Sequence, residues 1–455
     1  MKKNKNGFYF RVLLVLGVMI GGIVYLYNST LFERETPAIK LHHNAYWNLK
    51  EPLKITIDDK SGIKSYKVTL KINNEEKLLK HEQLLEPLKS VSIDLEPIKS
   101  AYSLKNKNIE IRVEATDASK WNFLKGNSLT KLFALTIDKN KPHISIMGNS
   151  YKITKGGSAL VILKATDDNI KDIYIETSFD KVFKVQPFYK DGYYISLLAW
   201  PITVTDFKAT IVATDKAGNV FKSYIPLYLQ DKIYKVSNIE LDDKFLKGKI
   251  AELADEFDAT QGVEDSIEQF KIINETVRAK NEALIHEITS NISTQRISDF
   301  KIDKMYPLQN GQVVANFGDH RNYFYQGNLV SEAWHVGIDL ASNAMAEIRP
   351  KNGGEIVYAD SNGIYGNMPI IHHGLGLYTL YGHCSSVNVS RGDTIGKNVH
   401  IANTGKSGYA MGDHLHFGVL VQGIEVRPAE WMDEAWIQLN VTDVIKVSKE
   451  VIDRN

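Results

Sequence analysis

The chain has 455 residues, 43% hydrophobic and 24% charged, an ordinary globular composition with room for two to four domains. Its 55 Lys and Arg balance 54 Asp and Glu to a formal charge of +1, so a chain-wide basic field is absent and no nucleic acid partner is expected. One cysteine, Cys384, excludes an intramolecular disulfide and a Cys-rich zinc finger, which leaves His and carboxylate to hold any metal.

The N-terminus reads as a membrane anchor. Lys2, Lys3 and Lys5 precede a stretch from Val12 to Tyr27 without a charge. With Phe8 to Phe10 at its edge, this approaches the ~20 residues that cross a bilayer. Tyr9, Tyr25 and Tyr27 suit the interfaces. A cleaved signal peptide is the alternative, but no small-x-small site follows the apolar run, and no cysteine follows for lipoprotein processing. The expectation is a cytoplasmic tail at 1–9, a transmembrane helix at 10–27 with the N-terminus inside, and the remaining chain outside the cytoplasmic membrane.

Residues 39–138 alternate as short strands, among them Leu53–Ile57, Tyr66–Ile72 and Ile109–Val113, with turns at Asp58–Gly62 and Asn73-Asn74. A second set begins after Lys139-Asn140-Lys141-Pro142, since Pro142 cannot donate to a ladder. Two antiparallel β-sandwich modules are expected, at 39–138 and 142–230. Glu114-Ala115-Thr116-Asp117-Ala118 echoes Val212-Ala213-Thr214-Asp215-Lys216-Ala217-Gly218-Asn219, and Ala165-Thr166-Asp167-Asp168 is similar. This strand-then-turn pattern resembles bacterial immunoglobulin-like repeats, which implies envelope protein partners for the two modules. The aspartates read as Asx-type turns in preference to calcium ligands.

Over 231–304 Pro and Gly thin out and a 3.6-residue period appears: Leu246, Ile250, Leu253, Ala254 and Phe257, then Ile267, Phe270, Ile273 and Val277, then Leu284, Ile288 and Ile292. A helical connector follows, broken near Gln261-Gly262, with Glu282 and His286 on a solvated face. Its apolar stripe needs a partner, and either these helices or a loop of a sandwich module are expected to cover the site of the next domain in the resting protein.

Residues 305–435 carry 18 of the 31 glycines and 8 of the 13 histidines. Short Val- and Ile-rich strands alternate with Gly turns, as in a compact antiparallel β domain, and 436–455 follow as a C-terminal tail. Two patterns carry chemistry, His335-Val336-Gly337-Ile338-Asp339 and His414-Leu415-His416-Phe417-Gly418. In a strand, residues i and i+2 share a face, so His414 and His416 point to one site. His335 and Asp339 add an imidazole and a carboxylate suited to zinc, and two imidazoles with one carboxylate leave a tetrahedral position for water, as catalytic zinc requires.

These blocks, with Gly363-Ile364-Tyr365-Gly366-Asn367, Ile371 to His383, and Gly405-Lys406-Ser407-Gly408, resemble in order and spacing the M23 peptidases. These are the LytM/lysostaphin-like zinc endopeptidases of bacterial cell walls, and the resemblance runs from Tyr306 to about Trp431. It implies zinc ligands at His335, Asp339 and His416, and unligated catalytic histidines at His383 and His414. It also implies hydrolysis of peptidoglycan peptide cross-links; the alternative is a latent M23-like envelope protein that regulates or scaffolds other cell-wall enzymes. Cys384 departs from the family's usual leucine and reads as a buried apolar residue, pointing away from the site because adjacent strand residues face opposite sides. His372 and His373 read as structural or substrate-adjacent, and His320 and His400 have no motif. The fold class expected is mainly β with a helical connector, a membrane helix, two sandwich modules and a LytM-type domain.

Overall fold

The computed structural model describes residues 5–43, 45–72, 75–97 and 108–454. Lys2, Lys3 and the Asn73-Asn74 turn lie outside the described residues. Helix Lys5–Asn28 contains the segment Tyr9–Asn28, which among the described residues is the one helix long and apolar enough to cross a membrane. At 1.5 Å per residue it spans about 30 Å, the thickness of a hydrocarbon core. The chain as a whole is mainly β and divides into two compact units, Met1–Pro142 with Asp167–Lys171 and Thr214–Val220, and His143–Thr166 with Asp172–Ala213 and Phe221–Asn455.

In the first unit, strands run in the order Ala38–Leu41, Leu53–Ile72, Asn108–Asp117, Ser128–Ile137 and Tyr46–Trp47, and Glu75–Leu95 also pairs with Leu53–Ile72. Period-2 patterning works as expected here: Asn108–Asp117 buries Ile109, Ile111, Val113 and Ala115 on one face, against Trp47, Ile55, Val68 and Ile93. The Asp58–Gly62 segment, expected as a turn between two strands, is instead a bend inside one continuous strand. Asp59 Oδ1 accepts from Ser61 N at 2.8 Å and Gly62 N at 3.1 Å, Gly62 has φ +96°, and the ladder shifts between Asp58 and Ile63. These are the marks of a bulge, which kinks a strand without reversing it. The repeated aspartates do close turns: Asp117 Oδ1 accepts from Ser119 N and Asn127 N, Asp167 Oδ1 from Asn169 N, and Asp215 Oδ1 from Asn219 N.

In the second unit, Gln186–Pro187, Tyr193–Ala199, Ser158–Thr166 and His143–Asn149 form a four-stranded sheet whose two central strands are almost wholly buried. The C-terminal segment folds back onto it. Helix Asp443–Arg454 buries Ile445, Ser448 and Ile452 and packs on strand His143–Asn149. Trp431, fully buried, donates Nε1–H to Ser158 Oγ at 3.1 Å, and Glu430 Oε2 accepts from Ser158 N at 2.9 Å.

The connector opens with a strand that the helical pattern did not announce. Val236–Glu240 pairs in parallel with His320–Tyr325, which pairs in turn with Asn328–Trp334. Helices then run over 243–256 and 266–288, capped by Asp242 and Asp265, and each contains a π turn, Leu246–Ile250 and Ile272–Val277. Leu246, Ile250, Leu253, Phe270, Ile273, Val277 and Ile285 share one core with Tyr323, Ile364, Met368, Ile370 and Leu380. At about 1.5–3 kcal/mol per buried side chain, this fixes the connector to the domain that follows. Beyond Val277 the inward stripe is Ile285 and Thr289, both buried, with Asn281 and Glu282 half-buried, and Leu284 is exposed. The expected phase was off by one position, and Glu282 and His286 are partly buried, not solvated. The reason is that this face is polar where it meets its partner: Asn281 Oδ1 accepts from Ile364 N at 2.9 Å, and His286 Nε2 pairs with Glu425 Oε1 at 2.7 Å.

The C-terminal domain is built on an eight-stranded sheet, in the order Gln312–Ala315, Ile338–Ala341, Leu415–Val421, Leu377–Gly382, Asn367–His372, Gly354–Ser361 and Thr394–Ile395, with Ile424–Val426 pairing Leu415–Val421. Leu415–Val421 and Leu377–Gly382 are buried along their whole length, so they form its rigid centre.

Candidate active site

Strand register brings the site together. Asp339 pairs with His416, and His416 with Gly382, in one row across three adjacent strands. Directly paired residues project to the same face, so Asp339 and His416 meet there, and His383 follows at the strand end. His335 enters from the end of strand Asn328–Trp334. His335 Nε2 lies 3.0 Å from Asp339 Oδ1 and 3.2 Å from His416 Nδ1, and His416 Nδ1 lies 2.9 Å from Asp339 Oδ1. The three residues are 7%, 9% and 6% exposed, in that order of number.

This cluster has a specific electrostatic demand. His335 Nδ1 donates to the Asn316 carbonyl at 2.9 Å, so in the neutral ring Nε2 carries a lone pair. That lone pair faces a carboxylate oxygen and a second imidazole nitrogen. Acceptors turned on one point repel each other unless a cation lies among them. Tetrahedral zinc ligands at ~2.1 Å would be about 3.4 Å apart, close to the spacing found. Burial pushes the Asp339 carboxyl up, but the adjoining imidazoles of His335 and His416 outweigh it and hold the group well below the usual carboxylate range. Burial also lowers His416, against the pull of Asp339. Both shifts favour the metal-binding forms, an ionised carboxylate and a neutral imidazole.

Two more imidazoles flank the cluster. His383 Nδ1 donates to the Ser407 carbonyl at 2.9 Å, and His414 Nδ1 to the Gly412 carbonyl at 2.8 Å. Each ring therefore keeps Nε2 as its free base. Their centroids are 4.8 Å apart, and His414 Nε2 lies 3.8 Å from Asp339 Oδ2. His383 is lowered to about 3, first by burial and then by His416 and His414, so it is neutral at physiological pH. Its φ of +64° is left-handed. Such a conformation costs energy in a non-Gly residue and gathers at functional sites.

Cys384 is buried and donates its thiol to the Tyr381 carbonyl; burial pushes it up to about 12, which removes it as a nucleophile. The expected reason, strand alternation, does not apply, because the strand ends at Gly382 and His383 turns. His373 is held between the Gly353 carbonyl and Thr379 Oγ1, and His372 stacks on Tyr378 at 4.4 Å, both away from the cluster. His320 stacks on Trp334, also at 4.4 Å.

The cleft over the cluster has a volume of ≈ 560 Å³. One wall is the connector, through Leu241, Asp242, Phe245 and Arg278, and another is the Tyr409–His414 loop. The connector thus borders the site and leaves a cavity in front of it. Tyr365, whose ring centroid lies 5.5 Å from that of His416 in an edge-on arrangement, lies beside connector residue Glu282. No local pattern points to Arg278, Phe245 or Glu282 as neighbours of the site, because tertiary packing alone brings them there.

Residues 333–428 match the model of peptidase family M23. This segment is an M23 domain. Relatives of the M23 domain include the DD-carboxypeptidase/endopeptidase Mpg of Neisseria meningitidis, 32% identical over 124 residues, which cover 27% of this chain and 27% of that one. The peptidoglycan DD-endopeptidase ShyB of Vibrio cholerae is 26% identical over 147 residues, covering 32% of each chain. The chain therefore spans about a quarter to a third of the length of these relatives. Among solved structures, a putative peptidase M23 from Pseudomonas aeruginosa aligns with TM-score 0.39 and 17% identity, over 62% of this chain and 95% of that one.

Proposed function

We propose that the protein is a zinc-dependent endopeptidase that hydrolyses peptide cross-links of bacterial peptidoglycan. In this reading the helix Tyr9–Asn28 anchors it in the cytoplasmic membrane, with the N-terminus inside and the M23 domain outside. The observation that carries the reading is the buried convergence of His335 Nε2, Asp339 Oδ1 and His416 Nδ1 beside two further imidazoles. These three atoms would hold the zinc, which supplies Lewis-acid polarisation of the scissile carbonyl and a water acidified towards neutrality.

The remaining steps belong to the chain. His383 and His414 offer free Nε2 atoms whose tautomer is set by backbone carbonyls. A neutral imidazole there accepts a proton from the attacking water; once protonated, it donates to the carbonyl oxygen as negative charge develops and returns a proton to the leaving amine. Burial around His335, Asp339 and His416 lowers the local dielectric, which strengthens each of these interactions.

The test separates ligands from proton carriers. His416→Ala and Asp339→Ala should abolish both zinc binding and digestion of sacculi, since each removes a bond to the metal. His383→Ala and His414→Ala should keep near-stoichiometric zinc, with turnover down roughly 10²–10⁴-fold. Zinc loss in His414→Ala with retention in His416→Ala would overturn the assignment, as would sacculus digestion that survives zinc chelation.

A further inference from the structure

Two arginines in the cleft have no part in the chemistry above. Arg278 opens the connector helix Arg278–Ile288, and Arg321 lies on strand His320–Tyr325; both line the cavity that contains His335, Asp339 and His416. Both lie outside the segment that matches the M23 model. Their side chains are 18% and 24% exposed, which distinguishes them from freely solvated surface cations.

Each guanidinium is oriented but only partly used. Arg278 Nε donates to the Asn274 carbonyl at 3.1 Å and Nη2 to Asn274 Oδ1 at 2.9 Å. Asn274 is itself fixed, donating to Ser331 Oγ at 2.9 Å. Nη1 comes no closer than 3.9 Å to Glu282. Arg321 reaches Asp319 through Nε at 3.5 Å. A guanidinium has five N–H donors, so both retain capacity for a bidentate acceptor.

Glu282 and Asp319 balance part of that charge, and outside the metal cluster the carboxylates lining the cleft serve other donors. Glu240 Oε1 accepts from Gly327 N at 3.3 Å. Asp242 Oδ1 caps its helix by accepting from Phe245 N at 2.7 Å. Asp413 accepts from Met345 N and Thr404 Oγ1. Tyr409 lines the same cleft as both arginines and is stacked on Phe245 at 5.9 Å. Burial raises the Tyr409 phenol well above its usual value, so it stays a neutral donor, and Arg278 and Arg321 act on it in the opposite sense. Two partly buried forks and a neutral phenol thus give a polar, donor-rich lining to a cleft otherwise walled by Leu241, Phe245, Ile364 and Met411.

We infer that Arg278 and Arg321, with the Tyr409 hydroxyl, form a subsite for a carboxylate of the peptide substrate. It rests on the peptidase reading and adds a preference: a peptide with a free carboxylate near the cut bond is a better substrate than its carboxamide. The carboxylate has two chemical sources. One is the C-terminus of an uncross-linked stem peptide, and the other is the side-chain carboxylate of a diamino-dicarboxylic residue within a cross-link.

The experiment uses the full-length, zinc-loaded protein and two pairs of synthetic peptides. One pair is a linear stem peptide ending in carboxylate or carboxamide; the other is a cross-linked stem dimer with that side-chain carboxylate free or amidated. The protein should prefer the free acid about 10–100-fold in kcat/KM in one pair, as expected for a charge-assisted hydrogen bond, and that pair names the source. Arg278→Gln and Arg321→Gln should each move the ratio towards one, chiefly through KM, with zinc content retained. Arg278→Lys, which keeps the charge and loses the fork, should fall between. Sacculus digestion with no preference in either pair would overturn the subsite and leave the peptidase reading standing. Failure to cleave any substrate, sacculi included, would overturn both. A ratio unchanged in both Gln variants would also refute the subsite.

Discussion

Gly337 sits between His335 and Asp339, and the structure makes its missing side chain a requirement of the site. A Cβ built there would lie 2.5 Å from both Cε1 and Nε2 of His416 and 2.9 Å from the Phe417 carbonyl oxygen. Its φ is outside the left-handed region, so alanine meets no backbone penalty and the cost is steric. Ordinary contact begins at 3.4 Å, which leaves a shortfall of about 0.9 Å that the His416 ring must absorb, because the Phe417 carbonyl belongs to a central strand. Metal sites tolerate about 0.2 Å in ligand position. A misplacement near 1 Å costs on the order of 10²-fold in rate, about 2.7 kcal/mol in the barrier, while overpacking costs the fold only about 1–3 kcal/mol. Gly337→Ala should therefore remain folded, lose zinc to a chelator at least 10-fold more readily, and digest sacculi about 100-fold more slowly. Gly396→Ala, with no heavy atom within 4 Å of the new Cβ, is the control and should match the parent. A Gly337→Ala protein with parental zinc retention and turnover would refute the inferred position of His416 relative to the metal.

Glu430, raised to about 7 from 4.5 mainly by burial, holds a proton in the folded state that the unfolded chain releases. Its contribution to stability is thus full below about pH 4.5 and falls as pH rises towards 7. The loss is on the order of 3 kcal/mol, and Glu430→Gln should flatten that slope in urea titrations at pH 4.5 and 8. Equal slopes in both proteins would count against it. Cys384, buried with its thiol pushed up to about 12, should resist iodoacetamide at pH 8 until denaturant is added, and Cys384→Ala should leave zinc and turnover nearly unchanged. Mass spectrometry showing alkylation of the native protein would refute this.

What was legible in the chain follows from range of interaction. The spacing of His335 to Asp339 and of His414 to His416 exposes candidate ligands because each pair lies within one strand or turn. That Asp339, His416 and Gly382 share a row is a matter of register between strands, which depends on partners 77 residues apart for Asp339 and His416. The bend at Asp58–Gly62 looked like a turn because a bulge uses the same Asp and Gly chemistry. Strand Val236–Glu240 was hidden because its partner, His320–Tyr325, lies far along the chain. The helix phase past Val277 failed for a different reason. Asn281 and His286 are held against the M23 domain by hydrogen bonds, and a search for apolar periodicity passes over polar contacts of that kind.

Because the last helix, Asp443–Arg454, lies on strand His143–Asn149, the peptidase sequence is held at both of its ends by the sheet that precedes it. One backbone cut between residues 289 and 304 would therefore nick the molecule without dividing it. The pieces would part on a denaturing gel and travel together in gel filtration. Release of the M23 domain would take a second cut, beyond Val426, and would still have to break the core and strand pairing it shares with the connector, so the chain order itself guards against accidental release.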